Sequence, residues 1–229
     1  MVCIVFDQIE FNRFILDNKV VGIFTEPITL KSGRQSYFYA NWRSVVCDVW
    51  LSERLVGFVL DFCRDNIINV DTFYGVPEGA TKLGILTQFH MAKATRDYKK
   101  GSHVLAMGRA RPKEHGDPKD RFFVGAPKGN IAVIEDVTTT GDSLVKALEG
   151  LKESGFTVTA VISLTDRMVK RDDKKSVQQA IEGMGIPFHR MSDITDILPE
   201  ICKNADKEVV EKIIEEFDQY GVKPLRLSR

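Results

Sequence analysis

Residues 131–154 constrain this chain more than any other stretch. Four apolar residues, Ile131-Ala132-Val133-Ile134, run into the carboxylates Glu135 and Asp136, then into Val137-Thr138-Thr139-Thr140-Gly141-Asp142-Ser143, and then into an amphipathic run from Leu144 to Leu151. A strand that is apolar on both faces has to be covered on both, which is the condition of a strand in a parallel sheet. The helical pattern that follows supplies part of that cover and marks a βαβ unit. Glu135 and Asp136 are delivered to the carboxyl end of the strand, where the sheet cannot solvate them, so they must meet water, a cation or sugar hydroxyls. The turn after them brings hydroxyls and backbone N–H groups to a helix N-terminus, an anion site. Carboxylates for a polyol beside a nest for a phosphate describe a sugar phosphate. A strand end followed by an N-capped helix would use similar residues, and the acidic pair alone would not separate the two readings. Three consecutive threonines and Gly141-Asp142-Ser143 favour the ligand site. Neither GxxxxGK[ST] nor a GxGxxG after a strand occurs, which removes the two common nucleotide loops.

Elsewhere the periodicity alternates. Helices are expected over Ile9–Val21, Leu51–Asn66, Gly79–Ala94 and Asp142–Ser154, and strands over Ile23–Leu30, Tyr37–Asn41, Thr72–Val76, Val104–Gly108, Ile131–Ile134 and Thr157–Leu164. The fold class that follows is α/β, a mainly parallel central sheet flanked by helices, with ligands at the carboxyl ends of its strands. The 229 residues suit one domain over 1–229. Residues 195–229 read as an amphipathic helix, with Val209, Val210, Ile213, Ile214 and Phe217 at helical spacing.

Charge and cysteine usage exclude several classes. Lys+Arg 32 against Asp+Glu 32 leaves a formal net charge of +0, which gives no electrostatic reason to bind nucleic acid. No apolar run is long enough for a membrane span. Cys3, Cys47, Cys63 and Cys202 are scattered without a CxxC pair and read as reduced thiols of a cytoplasmic protein. His90, His103 and His189 lack metal-ligand spacing. The run Lys170-Arg171-Asp172-Asp173-Lys174-Lys175 has mixed signs and reads as a solvated loop.

Residues 109–129 break the economy of the chain. They are long, charged and rich in Pro and Gly, and directly precede the sugar-phosphate segment. Such a loop is either a solvated hairpin or a lid. Its Arg109, Lys113 and His115 are the groups that a highly anionic ligand needs.

Glu135 to Ser143 resembles the motif with which type I phosphoribosyltransferases bind phosphoribosyl pyrophosphate (PRPP). Together with Leu30-Lys31-Ser32-Gly33-Arg34, Lys113-Glu114-His115-Gly116 and Ser163-Leu164-Thr165-Asp166-Arg167, in that order over about residues 24–168, the chain resembles the orotate phosphoribosyltransferase family. The resemblance implies a pentosyltransferase that moves phosphoribosyl from PRPP to orotate. It implies the type I fold, with a small hood from about residues 1–45, a long mobile loop and a C-terminal helical extension from about 195. Glu135 and Asp136 would hold the ribose, and Thr138, Thr139, Thr140, Gly141, Asp142 and Ser143 the 5′-phosphate. Lys31, Tyr39, Thr139 and Arg167 would hold orotate. Arg109, Lys113 and His115 would cover the pyrophosphate, with Lys113, His115 and Asp136 nearest the chemistry. Mg2+ would be held mainly by PRPP and water rather than by protein ligands. The protein would be a homodimer whose loop acts in trans.

Two features depart from the family's pattern. Ala110 stands where a second basic residue often follows the position of Arg109. Gly79 stands where some members carry lysine, and Lys82 is the candidate substitute. Tyr39 could equally be a strand aromatic, and Arg167 a surface partner of Asp166. A phosphoribosyltransferase for another base, or a PRPP-binding regulator without turnover, shares the central motif. The basic loop favours an enzyme, and Lys31 with Arg167 favours an acidic base.

Overall fold

The computed structural model describes residues 5–30, 32–115 and 121–227. Its centre is a parallel sheet of four strands in the order β3 (Thr72–Gly75), β6 (Ile131–Thr138), β7 (Val158–Asp166) and β8 (Phe188–Arg190), numbered along the chain. Side chains alternate across it with the period of two that strands impose. Ala132 and Ile134 enter one core with Phe73, Ile162 and Leu164, whereas Ile131 and Val133 enter another with Tyr74 and Val161.

The first face is covered by α1 (Gln8–Asp17) and α3 (Val49–Asp65), which contribute Phe11, Phe14, Leu55, Val59 and Phe62. Both helices start where an aspartate stops the preceding chain. Asp7 accepts from the backbone N–H of Ile9 at 2.8 Å, and Asp48 from that of Leu51 at 2.9 Å. Each such cap stabilises its helix by about 1 kcal/mol. The second face is covered by α5 (Asp142–Glu153), with Leu144, Leu148 and Leu151 on one stripe, and by the short α6 (Val177–Glu182).

An antiparallel pair, β1 (Val21–Thr29) with β2 (Gln35–Ala40), stands over the carboxyl edge and pairs Gly22 with Tyr39. Trp42 follows it, fully buried, and its indole N–H donates to Thr165 Oγ1 at 3.0 Å, so this pair is pinned to the end of β7. The helix α2 (Arg43–Cys47) and the helix α4 (Thr81–Ala94) complete the first half.

Two expectations are corrected. The strand anticipated over Val104–Gly108 is confined to β4 (Met107–Gly108), which pairs antiparallel with β5 (Phe123–Val124) outside the parallel sheet. Its apolar run buries Ala106, while Leu105 remains 51% exposed, so the stretch cannot be an interior strand. The single helix expected over 195–229 is two, α7 (Ile194–Cys202) and α8 (Lys207–Tyr220). Asp206 between them has extended backbone, φ −61° and ψ 138°, and restarts the helix. Among the described residues no helix is long and apolar enough to cross a membrane.

Candidate functional site

The acids lie inside β6 rather than beyond it: Glu135 pairs with Ser163, and the strand runs on until Thr138 pairs with Asp166. Glu135 is 7% exposed and Asp136 is half-buried. Asp136 accepts from the backbone N–H of Val137 at 2.9 Å and lies against the loop that joins β3 to α4. A Cβ built on Gly79 would stand 2.6 Å from Asp136 Oδ2, so any side chain there would displace the acid. This close approach is a physical reason for glycine at position 79. In the same loop the Pro77–Glu78 peptide is cis. Lys82, exposed in the first turn of α4, donates to Cys47 Sγ at 3.5 Å.

Past the strand the chain turns on Gly141, whose φ of 72° is in the left-handed region that favours glycine. Gly141 is the N-cap of α5 and has no side chain with which to cap it. Thr139, Thr140 and Ser143 are half-buried there and Asp142 is exposed. Thr140 Oγ1 donates to Asp142 Oδ2 at 2.7 Å. Thr138 differs from its neighbours: its hydroxyl lies 3.2 Å from Ser163 Oγ inside the sheet, and its carbonyl accepts from the backbone N–H of Arg167 at 3.0 Å. It has little beyond backbone to offer the turn.

Arg167 begins the segment after β7 and is 1% exposed. It is not the surface partner of Asp166, which instead faces Arg190 at 3.7 Å. Arg167 Nη2 donates to Ser36 Oγ at 2.9 Å and pairs with Glu216 Oε1 at 3.2 Å, and the guanidinium carbon lies 4.2 Å from the centre of the Phe38 ring. Burial lowers the pKa of Arg167 to about 10, against the attraction of Glu216 and an influence from nearby Tyr39. Burial likewise raises that of Glu216. Both shifts show desolvation exceeding the mutual attraction of the pair. Tyr39 is half-buried on β2.

Residues before and after the long loop form an arm. Arg109 N–H donates to the carbonyl of Phe122 at 2.9 Å and Lys113 N–H to that of Arg121 at 2.8 Å. Lys113 and His115 are exposed, and among the described residues neither side chain makes an ion pair. Lys31 lies outside the described residues, as does Cys3.

One contributor escaped the sequence reading. Arg171, expected in a solvated loop, sends its side chain back to the turn, donating to the carbonyl of Thr140 and standing 3.4 Å from Asp142 Oδ1. Arg34 holds the same loop from the other side, donating to the carbonyl of Lys170 and pairing with Asp172, each at 2.7 Å, with its guanidinium 4.6 Å from the centre of the Tyr220 ring. A mixed-sign run carries no local mark of this, because the reach of one arginine depends on how the loop folds.

No family model matches the chain. Relatives are nevertheless found by sequence. The orotate phosphoribosyltransferase of Rhodopseudomonas palustris (strain TIE-1) is 32% identical over 181 residues, which cover 75% of this chain and 87% of that protein. The orotate phosphoribosyltransferase of Ruthia magnifica is 27% identical over 94% of this chain and 98% of that protein. Among solved structures, orotate phosphoribosyltransferase from Francisella tularensis superposes with a TM-score of 0.67 at 22% identity, over 93% of this chain and 99% of that one. UMP synthase from Leishmania donovani gives 0.70 at 19% identity, over 93% of this chain and 42% of that one. The structural likenesses establish the type I phosphoribosyltransferase fold. The sequence likeness, extending over most of a relative's length, goes further, and by it the chain belongs to the orotate phosphoribosyltransferase family.

Proposed function

We infer that this chain transfers the phosphoribosyl group of PRPP to orotate, releasing pyrophosphate and forming orotidine 5′-monophosphate for pyrimidine synthesis. The observation that carries the reading is a single edge of the sheet on which β6 presents an acidic pair, Gly141 opens a helix without a side-chain cap of its own, and a buried arginine directly follows β7. Glu135 and Asp136 accept from the ribose hydroxyls. Backbone N–H groups from Thr139 to Ser143 receive the 5′-phosphate, where the helix dipole favours negative charge. Arg167 recognises the carboxylate of orotate, Tyr39 and Lys31 border the base, and Phe38 fixes the guanidinium from behind. The pyrophosphate lies toward the 76–80 loop and Lys82, under Arg109, Lys113 and His115.

No nucleophile is required. The ribosyl group passes through a cation-like state, and Asp136 places negative charge beside it while the basic arm stabilises the leaving group. Among the described residues no three His, Cys, Asp or Glu side chains cluster to hold a metal. The resemblance implies Mg2+ brought with PRPP; it would be held mainly by PRPP oxygens and water and would supply charge neutralisation for the pyrophosphate. The resemblance to the family implies a two-fold homodimer in which this arm covers the neighbour's site, a role that its exposed Lys113 and His115 suit. The β1–β2 pair acts as the hood of a single domain, and the reaction is placed in the cytoplasm, without nucleic-acid or membrane partners.

A product assay with PRPP, Mg2+ and a panel of bases tests the reading. Orotate is expected to be consumed at least about 100 times faster than uracil, hypoxanthine or adenine, because a neutral base offers no carboxylate to the donors of Arg167. Arg167→Ala is expected to raise the orotate KM roughly 10- to 100-fold, the loss of a charged hydrogen bond of about 1.5–3 kcal/mol, in a variant shown by calorimetry still to be folded. Equal turnover of uracil and orotate would reject the assignment.

A further inference from the structure

Beside Arg167 lies a buried acid that phosphoribosyl transfer does not call for. Glu216 belongs to α8, is 9% exposed, and reaches across to β2, where the Ser36 hydroxyl donates to its Oε2 at 2.8 Å. Its Oε1 is 3.2 Å from Arg167 Nη2, the same nitrogen that donates to Ser36. The pairing is incomplete. Arg167 Nε is buried and has no hydrogen-bond partner among the described residues. A buried guanidinium ordinarily has its N–H groups satisfied, since an unpaired donor keeps its desolvation cost. Here the arginine is stacked on Phe38, held at one end by an acid, and left with a donor in reserve. A second carboxylate is the group that completes it, and orotate carries one fixed to a planar ring.

We propose that Glu216 is a positioning residue that shares Arg167 with the carboxylate of the base, aligning the guanidinium while opposing the bound carboxylate with a like charge. The inference rests on the reading of Arg167 as the orotate contact. Without substrate, Glu216 neutralises Arg167 and lets the β1–β2 pair and α8 close over a buried cation. With substrate, two carboxylates face one guanidinium, so orotate and orotidine 5′-monophosphate, which bears the same carboxylate, are held less tightly than by Arg167 alone. The arrangement favours release over retention.

Glu216→Gln removes the charge and keeps an oxygen for Arg167 and hydrogen bonding to Ser36. The expected result is an orotate KM lowered roughly tenfold, with the PRPP KM within about twofold of wild type. Orotate should also raise the melting temperature of the variant more than that of the wild type, because it supplies the missing counter-charge. A merely structural role for Glu216 would lower stability without tightening orotate. An orotate KM unchanged or raised in the folded variant overturns the proposal. If the variant is unfolded at the assay temperature, recovery of its far-ultraviolet dichroism on adding orotate supports the proposal, and no recovery overturns it. A wild-type protein that neither consumes orotate nor is stabilised by it rejects the functional reading itself; wild-type turnover beside an unaltered variant rejects only the role of Glu216.

Discussion

Replacing Glu135 by Gln and Asp136 by Asn in one chain is expected to lower kcat/KM for PRPP roughly 100- to 10,000-fold while the protein still unfolds cooperatively. Each carboxylate that accepts from a ribose hydroxyl contributes a charge-assisted bond of about 1.5–3 kcal/mol, and two such losses give that range. Part of the loss falls on kcat, because Asp136 opposes positive charge that develops only in the transition state. Shape is preserved. Asn at 136 keeps the contact with Gly79, which lies close enough that a Cβ there would be 2.6 Å from the acid, so the 76–80 loop should not move. Steady-state kinetics and calorimetry on the same preparation check the outcome. A double variant that loses its fold, or one that retains wild-type PRPP kinetics, would return the acids to a structural role at the end of β6.

The second large effect is expected from mixing two inactive proteins. On the proposed reading, Lys113→Ala and Asp136→Asn should each be nearly inactive alone, the first without a cation for the pyrophosphate and the second without an acid for the ribose. If the arm that begins at β4 works on the neighbour's site, a mixed dimer collects both defects in one site and leaves the other intact. Random re-pairing makes half the dimers mixed, with half their sites whole, so activity should recover to roughly a quarter of wild type. Dissociation, mixing and re-association, followed by the orotate assay, measures it. No recovery despite demonstrated subunit exchange would mean that the arm acts on its own subunit.

What was legible in the sequence follows contiguity. The segment from Ile131 to Ser143 holds its acids, turn and helix start within one run, and the structure keeps them together on one edge. The long helices and β3 were legible because their apolar periods are strong, whereas β8, three residues long, and α6, six, present too few turns of any period. The end of β6 was misplaced because Glu135 and Asp136 look like a terminus, yet their backbone still pairs with β7 through Thr138. The other half of the site is assembled at long range. Arg167 carries a visible motif, but its partner Glu216 is 49 residues away and looked like one more acid on an amphipathic helix. Arg171 was hidden for the same reason. The glycine at 79 looked like a lost lysine until its distance from Asp136 gave it a cause.

The bond from Ser36 to Glu216 spans 180 residues, nearly the whole chain. Its consequence belongs to synthesis. A chain emerging from the ribosome has its sugar-phosphate turn in hand once α5 and β7 are out, but Arg167 has no acid to face until the last helix follows. Loop closure over such a separation is slow compared with local structure. On the proposed reading, the growing chain holds its phosphate turn before Arg167 meets the acid that aligns it, and that alignment waits for the fourteen-residue helix Lys207–Tyr220.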